Sequence, residues 1–175
     1  MPPKDHGLAL TPLPGEGDLD LVDSLAQLTF VVQGVLGRIA AAHDLSIVQG
    51  RLLGILRDRQ PTIKELAAIL QLDKSSVTGL VDRAEERGLV RRAPSPSDGR
   101  SVLVTITAAG RQLVDKAGRA IEAEFAELVA GLSAGQRRQL SSIATTVVAT
   151  DVQRRGIGTA HRAIGRPAHR KPARS

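Results

Sequence analysis

The fold is decided by residues 62–107, which read TIKELAAILQLDKSSVTGLVDRAEERGLVRRAPSPSDGRSVLVTIT. Thr62 and Glu65 have the spacing of a capping box, and this pattern predicts that a helix begins at residue 63. Apolar side chains then recur at the i, i+3, i+4 and i+7 positions of a helix in two successive sets. These sets are Ile63, Leu66, Ala67 and Leu70, followed by Val77, Leu80, Val81 and Ala84. Asp73 is a suitable N-cap between them and Gly88 a suitable stop, so the stretch predicts two short helices joined by a tight turn.

The second of these helices has a polar face opposite its apolar one. The residues of that face are Lys74, Ser75, Ser76, Thr78, Asp82 and Arg83. Two helices joined by so short a turn form a helix-turn-helix, whose second helix enters the major groove of DNA. Hydroxyl and cationic side chains can bond to phosphates or base edges there. The solvated side of an ordinary helix has the same composition, so the helix pair alone leaves both interpretations open.

Two strands are predicted after the helices, at residues 89–93 and 101–106. Residues 94–100 between them read PSPSDGR and are too rich in turn formers to belong to either strand. Apolar residues alternate along the second strand, which predicts that one face of the hairpin is buried. These residues are Val102, Val104 and Ile106. A β-hairpin directly after a helix-turn-helix is a wing, and its tip here carries Arg100.

Several short motifs follow one another through this part of the chain. They are Leu66-Ala67, Ser75-Ser76-Val77-Thr78, Val81-Asp82-Arg83, Gly88-Leu89-Val90, Asp98-Gly99-Arg100 and Val104-Thr105-Ile106-Thr107-Ala108-Ala109-Gly110. With these motifs, residues 50–115 resemble the winged helix-turn-helix of the MarR family of bacterial transcription regulators. The resemblance implies a mainly α (α+β) fold, a winged helix-turn-helix with long N- and C-terminal dimerisation helices. It also implies a homodimer that binds double-stranded operator DNA as a sequence-specific regulator, expected to be a repressor relieved by a small-molecule effector.

The resemblance and the polar face together indicate the DNA-binding residues. We expect DNA contacts from Lys74, Ser75, Ser76, Thr78, Arg83, Asp98 and Arg100. The wing would bring Arg100 to the adjacent minor groove, where narrow A·T tracts attract arginine. Asp98 would orient Arg100 or the hairpin through a salt bridge, or it would only form the turn. The alternative is a winged-helix protein-interaction module that binds no DNA, in which the basic side chains are only solvated.

An effector pocket between the dimerisation helices and the DNA-binding lobe is also implied by the resemblance. Arg38, His43 and Arg51 fall near that junction and are the candidate pocket residues. The chain is only 1% aromatic, so we expect neither an aromatic-lined pocket nor an aromatic core. Leu, Val, Ile and Ala must build the core instead.

The helices that flank this lobe are predicted from their own periodicity. In the first, Leu21, Leu25, Leu28, Val32, Val35 and Ile39 repeat every 3.5 residues on average, as in a coiled-coil seam. Packing on the chain's own core would explain this seam, but Val22, Phe30 and Leu36 widen it enough to reach a partner subunit as well. Two further helices after the wing would complete the dimer.

The expected organisation has five parts. They are a disordered segment at 1–17, an N-terminal dimerisation helix at 18–45, the winged helix-turn-helix lobe at 46–107, C-terminal dimerisation helices at 108–150, and a basic disordered tail at 151–175. The tail carries seven Lys or Arg and one Asp, which equals the net charge of +6 of the whole chain. Such a tail can hold DNA phosphates non-specifically or serve only as a solubilising end.

Several classes of protein are not expected. The chain has no cysteine, which excludes disulfides and thiol-based redox sensing. His43 is the single histidine outside the two end segments and cannot build a zinc cluster alone, so we expect no metal and no cofactor. No Ser–His–acid set is evident, and an enzyme is not expected. No apolar run approaches a membrane span and no signal peptide is visible, which predicts a cytoplasmic protein without a membrane partner.

Overall fold

The computed structural model of the protein describes residues 19–95 and 101–154. These ranges form six helices and two strands. In chain order they are α1 (Leu21–Ala41), α2 (Ile47–Asp58), α3 (Ile63–Leu70), α4 (Lys74–Glu86), β1 (Val90–Pro94), β2 (Val102–Ile106), α5 (Ala108–Leu128) and α6 (Ala134–Arg154). The described residues divide into two compact units, one up to residue 34 and the other from residue 35 onward. The predicted fold class is confirmed, because a helix pair and a β-hairpin follow one another inside a mainly helical chain.

The helix starts confirm Thr62 and Asp73 as the predicted caps of α3 and α4, and two more helices begin with the same pattern as α3. Three serine or threonine side chains accept the backbone N–H three residues on, while the Gln or Glu at that position accepts the cap residue's own N–H. These pairs are Ser46 with Gln49, Thr62 with Glu65, and Ser133 with Gln136. The Thr62 backbone N–H and hydroxyl lower the pKa of the Glu65 carboxyl. Asp73 and Thr107 cap α4 and α5 without this reciprocal bond, because their side chains only accept the backbone N–H groups of Ser76 and Gly110.

Two residues with positive φ end the two helices of the helix-turn-helix. Gln71 closes α3 in the left-handed region at φ 60°, and its N–H and that of Leu72 donate to the Ala67 carbonyl. After α4, Gly88 has φ 68°, and the Leu89 N–H donates to the Ala84 carbonyl at 2.9 Å. This is the usual way for a helix to stop at glycine, because glycine has no Cβ to strain that conformation.

The hairpin is antiparallel, with Val90 opposite Ile106 and Pro94 opposite Val102. It is anchored to the start of α3, because the Val104 N–H donates to the Pro61 carbonyl at 2.9 Å and Thr62 pairs with Leu103 in an isolated bridge. The expected alternation of burial is only partly right. Val104 is fully buried, but Val102 is 46% exposed and Thr105 on the opposite face is buried.

Two local contacts explain this departure. Val102 lies at the far end of the hairpin, opposite Pro94, where neither residue is buried. Thr105 is covered by Arg91 across the sheet, whose Nε donates to the threonine hydroxyl at 3.2 Å. Period-2 alternation cannot foresee either effect, since both depend on what lies over each residue.

The core of the lobe is aliphatic, as predicted. Its fully buried side chains are Leu52, Leu53, Leu56, Leu66, Val77, Val81, Val90 and Val104. The start of α5 closes against this core, because the Thr107 N–H donates to the Leu89 carbonyl at 3.0 Å. A Cβ on Gly110 would lie 2.1 Å from the Leu89 carbonyl oxygen, so only glycine allows this approach.

Candidate nucleic-acid interface and cavity

Helix α4 presents one apolar and one polar face. Val77, Leu80, Val81 and Ala84 are buried in the lobe. The expected contact residues Lys74, Ser75, Ser76 and Arg83 are all exposed on α4, as a helix that enters a groove requires. Thr78 is half-buried, and its hydroxyl donates to the Lys74 carbonyl at 2.8 Å. Thr78 can therefore still accept a hydrogen bond, but its proton is already used.

The N-terminus of α4 contains a network that the sequence did not reveal. The Asp73 carboxylate accepts the Ser75 hydroxyl at 2.5 Å, the Ser76 hydroxyl at 2.6 Å and the Ser76 backbone N–H at 2.8 Å. These bonds hold the pKa of Asp73 far below its usual value, so the group is ionised at neutral pH. Because both hydroxyl protons point to Asp73, the two serines present acceptor lone pairs outward, which suits the amino groups of adenine and cytosine.

Further along α4, Asp82 and Glu85 share one cation from the wing. Arg92 on β1 donates to Asp82 Oδ1 at 2.5 Å and to Glu85 Oε2, and its backbone N–H donates to Glu85 Oε1 at 2.8 Å. Sequence reasoning placed Asp82 on the polar face but did not single out Arg92. The available signal was that acids three residues apart lie on the same side of a helix. Arg92 therefore links the wing to α4 through these bonds.

Arg83 and the described base of the wing complete this surface. A Cβ on Gly79 would lie 3.5 Å from Arg83 Nη1, so the guanidinium folds back over Gly79, one turn toward the start of α4. The hairpin narrows to a bond from the Ser95 N–H to the Ser101 carbonyl at 2.8 Å. Asp98 and Arg100 lie outside the described residues, and their roles remain predictions.

A cavity of about 120 Å³ lies behind the helix-turn-helix, between the end of α1, α2 and α5. Its walls include Ile39, His43, Arg51, Leu53, Arg57 and Ile121. Two of the three expected pocket residues, His43 and Arg51, therefore line it. Arg38 does not, because its exposed side chain pairs with Glu124 on α5 at 3.0 Å. No cluster of metal-binding side chains occurs in the ranges that the structure describes.

Two arginines connect the cavity with the helix-turn-helix. Arg51 Nη2 donates to the Ile69 carbonyl near the end of α3 at 3.1 Å. Arg87, directly after α4, donates to the Asp44 carbonyl at 2.6 Å and to the His43 carbonyl at 3.2 Å. The turn after α1 is thereby tied to the end of α4, and α2 is tied to the end of α3. Sequence reasoning found Arg51 but missed Arg87.

Helix α1 has a property that sequence reasoning did not detect. Its 21 residues have a mean hydropathy of 1.3, so the helix could cross a membrane by length and composition, and 17% of an 18-residue stretch within it is buried. Gln27, Thr29 and Gln33 interrupt the apolar residues, so no continuous run exists, although the average is high. By its average, α1 is nevertheless a candidate membrane span, contrary to the expectation that no apolar run approaches one, although core helices of soluble proteins and signal sequences have the same property.

Known proteins resemble this chain in sequence. A MarR family profile matches residues 43–101. The HTH-type transcriptional regulator Mb0904 of Mycobacterium bovis is 33% identical over 129 residues, which cover 62% of this chain and 90% of the relative. The HTH-type transcriptional repressor IacR of Pseudomonas putida is 32% identical over 111 residues, which cover 63% of this chain and 66% of the relative.

Solved structures show the same architecture. CouR from Rhodococcus jostii RHA1, crystallised with p-coumaroyl-CoA, has a TM-score of 0.64 and 28% identity, and the match covers 73% of this chain and 91% of CouR. Apo MarR from E. coli has a TM-score of 0.64 at 24% identity, with 75% and 98% covered, and supports the fold alone. Since its polar helix, wing and sequence all agree with these regulators, the chain belongs to the MarR family of DNA-binding transcription regulators.

Proposed function

We propose that the protein is a cytoplasmic, homodimeric repressor that binds a specific operator and is released from it by a small molecule in the cavity. The observation that carries the proposal is the exposure of apolar side chains on α6. None of its residues is buried, and Leu140, Ile143, Val147 and Val148 are 39–56% exposed. Monomeric soluble proteins rarely expose a continuous apolar surface of this kind, which supports a partner subunit.

The first half of α1 supports the same assembly. Its exposed apolar side chains are Leu21, Val22, Leu25, Leu28, Phe30 and Val31. Burying such side chains stabilises an interface by about 25 cal/mol for each Å² removed from water. A second copy of the chain offers the same apolar helices in return, as a two-fold symmetric interface requires. This packing also accounts for the apolar character of α1 without a membrane.

DNA contact would come from the exposed face of α4 and from the wing. We propose that Lys74 and Arg83 bind phosphates or guanine, while Ser75, Ser76 and Thr78 accept hydrogen bonds from base edges. Asp98 and Arg100 at the wing tip would reach the neighbouring minor groove. Residues 74–119 have nine Lys or Arg against five Asp or Glu. This excess of positive charge favours binding to negatively charged DNA over binding to a positively charged partner.

Repression and its release are supported by relatives. IacR and NicR of Pseudomonas putida, 32% and 35% identical to this chain over the matched residues, are both named transcriptional repressors. CouR has been crystallised with p-coumaroyl-CoA bound. The cavity of this chain, walled by both a helix of the lobe and α5, is a suitable place for a smaller effector.

Two measurements test the proposal. Light scattering at micromolar concentration should give twice the chain mass, and Ile143→Asp on α6 should give the monomer. A gel shift with the DNA upstream of the protein's own gene should show binding that weakens steeply with salt. A wild-type protein that stays monomeric would refute the dimer, and a folded dimer that binds no duplex would favour the protein-interaction module.

A further inference from the structure

Helix α4 carries three hydroxyl groups, and the proton of each is already engaged at the helix itself. The Ser75 hydroxyl donates to Asp73 Oδ1 at 2.5 Å and the Ser76 hydroxyl donates to Asp73 Oδ2 at 2.6 Å. The Thr78 hydroxyl donates to the Lys74 carbonyl at 2.8 Å, a bond that a helical threonine often makes. An ionised carboxylate and a carbonyl have no proton to give, so the hydroxyl is the donor in all three bonds.

The lone pairs of these hydroxyls are what remains for a partner. Ser75 and Ser76 are exposed at the start of α4, the part of such a helix that contacts base edges. A hydroxyl whose proton is used cannot bond to a DNA phosphate, because phosphate oxygens only accept. In the major groove, adenine and cytosine present amino groups that donate, whereas guanine and thymine present acceptors. The two serines are therefore suited to the amino-bearing bases.

Asp73 decides this hydrogen-bonding character of the serines. It is the N-cap of α4, and its carboxylate also accepts the Ser76 backbone N–H at 2.8 Å. We propose that Asp73 is a positioning residue for sequence recognition, which takes both serine protons and thereby makes Ser75 and Ser76 select adenine or cytosine at the bases that they face. This inference rests on the proposed function, in which α4 enters the major groove of an operator.

A residue that only capped the helix would behave differently. The loss of a cap destabilises α4 and weakens binding to every DNA sequence alike. Asparagine caps a helix as well as aspartate does, but its amide nitrogen donates where a carboxylate oxygen accepts. In Asp73→Asn one serine therefore loses its acceptor, and its proton turns outward toward an acceptor on guanine or thymine. One substitution thus separates the positioning role from the capping role.

Selection from a random duplex library by the wild type and by its variants tests the proposal. Ser75→Ala and Ser76→Ala identify the bases that the serines face, as the positions at which the preference is lost. At these positions the wild type should prefer adenine or cytosine about 5-fold or more over guanine or thymine, the usual scale for one wrong base pair. Asp73→Asn should lose or reverse this preference at one of them. Any position that Thr78→Ala affects should keep its preference in Asp73→Asn, because Thr78 donates to Lys74 and not to Asp73.

Glu65→Gln is the matched control for the change of charge. It makes the same acid-to-amide substitution at the start of α3, where Glu65 accepts the Thr62 N–H and hydroxyl. Removal of a negative charge strengthens binding to any DNA sequence, so affinity alone does not decide the question. The measured quantity is the ratio of the affinities for the selected duplex and for the same duplex with the facing base pair exchanged. This ratio should fall about 5-fold or more in Asp73→Asn and stay unchanged in Glu65→Gln.

A modified base tests the proposed hydrogen bond directly. Purine is adenine without its amino group, so a duplex with purine at the facing position lacks the donor that the serine would accept. This replacement should lower the affinity of the wild type about 5-fold or more and that of the corresponding serine-to-alanine variant far less. Equal losses in the two proteins would overturn the inference, because the serine would then accept no bond from that base.

Three results of the selection would also overturn the inference. They are a wild-type preference for guanine or thymine at the serine positions, no position affected by either serine substitution, and an unchanged ratio in Asp73→Asn. These results leave the proposed repressor in place, whereas a wild-type protein that selects no duplex would refute the repressor and this inference together. If Asp73→Asn does not fold, Asp73→Thr takes its place, because threonine caps α4 with a single oxygen and cannot accept both serine protons.

Discussion

Large apolar side chains are buried in the helix-turn-helix lobe but exposed on the terminal helices. In the lobe, Leu66, Val77 and Val104 are fully buried. On the terminal helices, Leu21 is 75% exposed and both Ile143 and Val147 are 56% exposed. The lobe thus completes its core within one chain, whereas α6 and the first half of α1 present apolar surface that only another surface can cover. The stability of the lobe should therefore not depend on the protein concentration, whereas the stability of the terminal helices should.

The largest expected effect compares one leucine of the lobe with one isoleucine of α6. Leu66→Ala should lower the free energy of unfolding by about 2–5 kcal/mol, because it leaves a cavity in a closed core. This loss should be the same at every protein concentration. Ile143→Ala should change the melting temperature only through the dimer, so its effect should be absent at concentrations too low for dimerisation and should grow as the concentration rises. Thermal unfolding of both variants at low and high micromolar concentration checks this. An Ile143→Ala effect that is independent of concentration would break the comparison.

Two glycines of α5 test how far along the helix the close packing against the lobe extends. Gly110→Ala forces a Cβ against the Leu89 carbonyl and the Ile106 side chain, and should cost about 1–3 kcal/mol of stability. Gly118 on the same helix has no atom within 4 Å of a built Cβ, so Gly118→Ala should gain about 0.5–1 kcal/mol. Urea unfolding of the two variants measures the difference. Equal effects would mean that α5 does not dock closely on β1.

The starts of α3 and α4 could be predicted from the sequence because their causes are local. Each cap involves a side chain and an N–H group within three residues, and each apolar stripe repeats within one helix. The resemblance added the wing and the family, but it gave no reason for Gly110. That reason is the approach of Leu89, 21 positions earlier in the chain, which no local pattern contains.

Contacts between distant residues could not be predicted. Arg51 lies 18 positions from Ile69, and Arg87 lies 44 positions from His43. A sequence shows that these residues are basic but not which carbonyl they will meet. Likewise, the sequence predicted two helices after the wing, but it could not show that the chain's own core leaves the apolar residues of α6 uncovered. The geometry of packed elements decides both questions.

A smaller effect is expected where the wing joins α4. Arg92→Gln should cost about 0.5–1 kcal/mol of stability, since its ion pairs with Asp82 and Glu85 are partly exposed. The loss of operator-binding free energy should exceed this loss of stability. The wing is no longer fixed to α4, and two carboxylates of that helix lose their cation. Arg91→Gln is the matched control, since it removes the same charge from the neighbouring position on β1. Equal operator affinities for the two variants would show that only the charge matters.

The smallest effect concerns acid stability at the start of α4. Hydrogen bonds from the Ser75 hydroxyl, the Ser76 hydroxyl and the Ser76 N–H lower the pKa of Asp73 below the ordinary value of 3.8. A group whose pKa is lower in the folded than in the unfolded state stabilises the fold above the unfolded pKa and loses that contribution as the pH falls. The wild type should therefore lose stability below pH 3.8 more steeply than Asp73→Asn, because asparagine still caps the helix but does not titrate. Ser75→Ala should lie between the two, since it removes the bond that lowers the pKa most. Urea midpoints between pH 7 and pH 2 measure the three slopes. Parallel curves for wild type and Asp73→Asn would mean that the carboxylate and its serines are not bonded in solution, and the two hydroxyls would then be free to donate to DNA phosphates.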